Sequence, residues 1–90
     1  MPAVQVRITG RVQGVGYRQW ARGQAQALEL AGWVRNRPDG TVEALLAGSA
    51  AALGEMLERL RAGPPGARVD AVAASDADPH GAPIGFEIRR

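Results

Sequence analysis

The chain has 90 residues, 46% hydrophobic and 22% charged, with a formal net charge of +2. That length makes one domain, residues 1–90, with a core too small to enclose a deep cavity, so a functional site is expected on surface loops carried by a rigid scaffold. Cysteine is absent and the single histidine is His80, which excludes disulfides, thiolate metal sites, thiol catalysis and any triad or metal site built on several histidines.

All eleven basic residues are arginine. The small excess charge is weak support for nucleic acid, but an arginine held in place favours bidentate recognition of phosphate or carboxylate. No apolar run approaches the roughly 20 residues of a membrane span, and the N-terminus enters a strand-like pattern without an apolar leader block. The expected location is cytoplasmic, with no membrane partner.

Along the chain, Val4, Val6 and Ile8 alternate with Gln5 and Arg7, which predicts a half-buried strand. Gly10 to Gly16 is a loop with three glycines. Tyr17, Ala21, Ala25 and Leu28 recur at helical spacing, predicting a helix from Tyr17 to about Ala31, with Gly32 as its stop signal. Trp33–Arg37 and Thr41–Ala47 are strand-like, joined by Pro38-Asp39-Gly40, where proline fixes φ and glycine accepts a positive one. Ser49 is placed to cap a second helix, whose Leu53, Met56, Leu57 and Leu60 form one apolar stripe. Gly63-Pro64-Pro65-Gly66 ends it. A strand over Val69–Ala74, a loop over Asp76–Pro83, and a last strand with Ile84, Phe86 and Ile88 alternating complete the chain. This order predicts an α+β, ferredoxin-like sandwich: a mostly antiparallel sheet of four to five strands, with two helices on one face.

The first two strands are joined by a helical crossover, so they are expected to run parallel and to end at the same end of the sheet. The Gly10–Gly16 loop leaves the first strand there, and Asn36 lies near the end of the second. Arg18 and Asn36 are therefore candidates to face one pocket. Glycines at 10, 14 and 16 allow successive N–H groups to point inward, and the helix start near Tyr17 adds a positive end. Arg18 in that first turn is unfavourable by roughly 0.3–1 kcal/mol unless an anion compensates it. A solvated surface arginine beside a simple glycine turn fits the same spacing. The loop matches neither G-x-G-x-x-G nor G-x-x-x-x-G-K-[ST], so nucleotide binding of either kind is unsupported. Asn36, the only asparagine, fits a strand-end turn residue. It also fits a neutral amide that aims a water without repelling a dianion. An amide is no general base, so the phosphoryl group would have to be already activated. Trp20 and Trp33 fit core or rim packing better than base stacking. Gln5, Arg7, Glu43 and Glu87, the positions assigned outward, offer no aromatic platform for RNA.

Ile8-Thr9-Gly10-Arg11-Val12-Gln13-Gly14-Val15-Gly16-Tyr17-Arg18 resembles the first acylphosphatase signature. Gly32-Trp33-Val34-Arg35-Asn36, followed by Gly40, Val42 and Gly48, resembles the second. The two cover about a third of the chain, and element order and length resemble the family over nearly all of it. Tyr17 stands where the family more often has Phe, and the C-terminal Arg89-Arg90 lacks the terminal aromatic of some relatives. The resemblance implies hydrolysis of a small acyl phosphate to carboxylate and phosphate, without metal, cofactor or covalent intermediate. It implies that Arg18 grips the phosphoryl oxygens with backbone N–H groups of Val12, Gln13, Gly14, Val15, Gly16 and Tyr17, while Asn36 orients the attacking water. The expected protein is a monomer without nucleic-acid partners. A binding module, or a domain serving a larger enzyme, are the alternatives.

Overall fold

Alternation in the first strand decides the layering. The computed structural model describes residues 1–90 and places Val6 and Ile8 in the core, while Arg7 between them is exposed. The elements are β1 (Ala3–Arg11), α1 (Tyr17–Ala27), β2 (Ala31–Asn36), β3 (Val42–Ala47), α2 (Ala50–Ala62), β4 (Arg68–Asp76) and β5 (Phe86–Arg89), with one 3₁₀ turn at Pro79–Gly81. The five strands form one sheet in the order β4-β1-β3-β2-β5. β3 is antiparallel to both β1 and β2, so β1 and β2 run parallel to each other. β4 is antiparallel to β1, and β5 is parallel to β2. This is the ferredoxin-like sandwich expected from the element order.

The core lies between the sheet and the two helices. Val6, Ile8, Val34, Val42, Ala44 and Leu46 face Tyr17, Ala21 and Ala25 of α1 and Leu53, Met56 and Leu60 of α2. The helical stripes read from the sequence are thus the buried faces. Ser49 caps α2 as expected, its hydroxyl accepting from the Ala52 N–H at 3.1 Å.

Several boundaries differ from the sequence reading; Gly10 and Arg11, expected in the glycine loop, end β1, and β2 and β4 are shifted or extended by one or two residues. α1 ends at Ala27, not near Ala31, because Glu29 takes a left-handed conformation (φ 58°). The Glu29 N–H donates to Gln26 O and the Leu30 N–H to Ala25 O, the paired bonds of a Schellman ending. Leu30 then drops into the core. Gly32 is not the stop signal but a β2 residue at φ 142°, where a Cβ would run into the Leu45 carbonyl. β5 starts at Phe86, and Ile84 is fully exposed, since Gly85 at φ 79° breaks the alternation before the strand begins.

The outward sheet face also departs from expectation. Trp33 pairs in register with Leu45 and Glu87 on that face, so an aromatic ring is present there. The sequence reading assigned Gln5, Arg7, Glu43 and Glu87 to this face and took Trp33 for core or rim packing. The crossover from β4 to β5 must span the sheet, and Gly81 of its 3₁₀ turn packs on Leu45, which is buried.

Candidate active site

The C-terminal ends of β1 and β2 meet the start of α1 at one end of the sheet. A cleft of about 290 Å³ opens there, lined by Val12, Gly14, Gly16, Tyr17, Arg18, Gln19, Asn36 and Ile88. Arg18 and Asn36, which the sequence reading paired, therefore line the same cavity. Of the expected loop residues, Val12, Gly14, Gly16 and Tyr17 line it, while Gln13 and Val15 do not. Val15 packs against the core. The Gln13 side chain turns away and donates to the carbonyls of Arg37 (2.8 Å) and Thr41 (2.9 Å), tying the loop to the β2–β3 turn.

Gly14 (φ 75°) and Gly16 (φ 78°) occupy left-handed conformations that side chains with a Cβ disfavour. Gly16 is the first residue outside α1, and no side chain caps that helix. No loop or turn hydrogen bond, and no side-chain acceptor, uses the N–H groups of residues 13–19. Unpaired N–H donors at a helix start are groups that attract oxyanions, and Gly14, Gly16, Tyr17, Arg18 and Gln19 among them line the cleft.

Arg18 has no carboxylate partner. Its Nη1 donates to the backbone carbonyl of Arg89 at 3.2 Å. The nearby Arg35 and Arg37 share one acid. Glu43 accepts from Arg35 Nε at 2.7 Å and Arg37 Nη1 at 3.0 Å. Burial raises the Glu43 pKa, but the hydrogen bonds and charges of the two arginines outweigh it, and the carboxyl stays below the usual glutamate range. Arg18 is the one charged side chain that lines the cleft, and it has no ion-pair partner.

Asn36 ends β2, opposite Val42. Its Oδ1 is buried and accepts no hydrogen bond from the protein. An unmatched buried carbonyl oxygen costs about 1–3 kcal/mol, so this acceptor suits a donor brought into the cleft. Tyr17 takes no such part. Its hydroxyl donates to the Leu60 carbonyl at 2.8 Å, and burial pushes its pKa well above the ordinary value, so the phenol stays protonated. Asp39 is occupied as well, accepting from the Thr41 N–H and hydroxyl in the hairpin turn. Asp78 caps the 3₁₀ turn through the His80 N–H, and no cluster of three or more metal-ligating side chains forms.

The acylphosphatase family model matches residues 4–88. The chain belongs to the acylphosphatase family. It is 55% identical to an acylphosphatase of Mesorhizobium japonicum, over 96% of this chain and 92% of the relative. It is 53% identical to an acylphosphatase of Rhizobium meliloti, over 98% and 93%. Among solved structures, an acylphosphatase from Bacillus subtilis superposes with a TM-score of 0.95 at 35% identity, with both chains covered completely. Two residues of the cleft, Gln19 and Ile88, were not singled out in the sequence, nor was the Arg89 carbonyl that Arg18 reaches. Gln19 follows Arg18 on α1 and was legible in principle. The other two are brought to that end of the sheet by the pairing of β5 with β2.

Proposed function

We propose that the chain hydrolyses acyl phosphates to carboxylate and inorganic phosphate in the cleft between the 12–16 loop and Asn36. The observation that carries this reading is the convergence of three complementary parts: unpaired loop N–H groups, a guanidinium without a carboxylate, and a buried amide oxygen without a donor. Membership of the acylphosphatase family supports the reaction class.

Arg18 and the loop N–H groups, those of Val12 to Tyr17, bind the phosphoryl oxygens. They neutralise charge that the transferring group already carries and hold it for in-line attack. The Asn36 carboxamide accepts from one water and aims its oxygen at phosphorus. As the P–O bond forms, the bond from phosphorus to the acyl oxygen breaks. The bonding pair leaves on the carboxylate, and the water proton passes to a phosphoryl oxygen. The leaving carboxylate is a weak base, so no protein acid is required. The amide cannot take the proton, which restricts the site to activated phosphates. We further propose that the reaction needs no metal and that the chain acts as a cytoplasmic monomer without nucleic acid. In support of the last point, Arg35 and Arg89 already stack on the outward indole of Trp33.

The test is turnover of acetyl or benzoyl phosphate with EDTA present. Hydrolysis should be competitively inhibited by inorganic phosphate, and a rate no higher than buffer would refute the assignment.

A further inference from the structure

We propose that Trp33 is a positioning residue for Arg18, acting through Arg89 from the sheet face opposite the cleft. The inference rests on Arg18 being the phosphoryl-binding group.

Arg18 reaches one protein acceptor, the carbonyl of Arg89. That carbonyl sits at the last residue of β5, a four-residue strand on the sheet edge, where pairing with β2 ends at Arg35↔Arg89. The end of a short edge strand frays readily, so something must hold Arg89 if Arg18 is to keep its aim. Its own carboxylate contact is long, 3.5 Å from Nη2 to Glu87. Its contact outside β5 is the indole: the Arg89 guanidinium carbon lies 5.3 Å from the Trp33 ring centroid, within cation–π range. Arg35 stacks on the same ring at 5.1 Å and is itself fixed by Glu43 at 2.7 Å. Glu43, Arg35, Trp33 and Arg89 thus form one packed row across the outward face.

Of the aromatic side chains, indole gives the strongest cation–π contact. With the Arg89 side chain held, its peptide plane is held too, and the carbonyl stays directed at Arg18. Trp33 itself does not line the cleft. Its effect is indirect, and a loss there should change how well phosphate is held rather than remove a reacting group.

The experiment is calorimetric titration with inorganic phosphate, under conditions where circular dichroism shows each variant folded. Trp33→Leu should weaken phosphate binding by about fivefold, the scale of one exposed cation–π contact, whereas Trp33→Phe should stay within about twofold because a smaller ring remains. Arg89→Ala keeps the backbone carbonyl but loses the stack, and should match Trp33→Leu. The double variant should be no worse than either single one, since both remove the same link. Wild-type affinity in Arg89→Ala, or multiplying effects in the double variant, would overturn the proposal even if Trp33→Leu did not fold. Arg18→Ala in the same titration separates the two levels. Unchanged affinity there refutes the site reading. Weakened affinity there, with Trp33→Leu and Arg89→Ala at wild-type affinity, refutes only the link through the indole.

Discussion

The two helices begin in opposite ways. α2 starts on Ser49, whose hydroxyl satisfies the Ala52 N–H. α1 starts on Gly16 in a left-handed conformation, has no side-chain cap, and carries Arg18 in its first turn. Both helices follow a strand and pack on the same sheet face, so architecture does not account for the contrast. A side-chain cap stabilises a helix by about 1 kcal/mol, and a cation at the N-terminus costs roughly 0.3–1 kcal/mol. α1 lacks the first and bears the second, and its N–H donors stay free. The start that is complete in itself serves stability. On the proposed reading, the incomplete start is finished by the substrate.

The comparison breaks most visibly at Arg18. Arg18→Ala should lower kcat/KM by about 10³-fold, the scale of other phosphoryl-stabilising arginines. It should also abolish the rise in Tm that inorganic phosphate gives the wild type, while changing unliganded stability by less than about 1 kcal/mol. Next comes Asn36→Ala, expected to reduce kcat by about 10²-fold through loss of one positioned group. Its phosphate affinity should remain close to wild type, and equal loss of affinity in both variants would reject the division of roles. Ser49→Ala probes the closed start. It should cost about 1 kcal/mol of stability yet leave turnover per folded molecule intact, with phosphate raising its Tm as much as in the wild type.

The smallest effect comes from Glu43, on the sheet face away from both helices, and so sharpens the comparison as a control. Its folded pKa is depressed, so the unfolded chain takes up the proton first as pH falls. Its stabilisation is fully present above the unfolded pKa and is lost as pH falls through the folded one. Glu43→Gln should flatten the acid side of the Tm-against-pH curve by less than about 1 kcal/mol, because the arginines it pairs with are partly exposed. An acid limb identical to wild type would remove Glu43 as its source.

Local chemistry made much of this legible beforehand. The hairpin at Pro38-Asp39-Gly40, the Ser49 cap and both helical stripes each depend on residues a few positions apart. The pairing of Arg18 with Asn36 followed from one helical crossover, which makes β1 and β2 parallel and ends both at the same end of the sheet. What escaped depends on contacts distant in sequence. Glu29 takes the left-handed position because Leu30 must turn into the core, and Gly32 is needed where β2 meets the Leu45 carbonyl. Gln13 looked like one more loop residue, but its side chain is committed to the carbonyls of Arg37 and Thr41. The indole at Trp33 and the Arg89 carbonyl gain their places only through the pairing of β5 with β2.

That pairing makes the two chain termini unequal as attachment points. β1 begins opposite Ala47, at the far end of the sheet, and runs nine residues toward the cleft, a distance of about 25 Å at the usual strand rise. β5 ends beside Arg18. A purification tag or fused domain joined before Ala3 hangs clear of the cleft, whereas the same cargo joined after Arg90 crowds its mouth and pulls on the residue that holds Arg18.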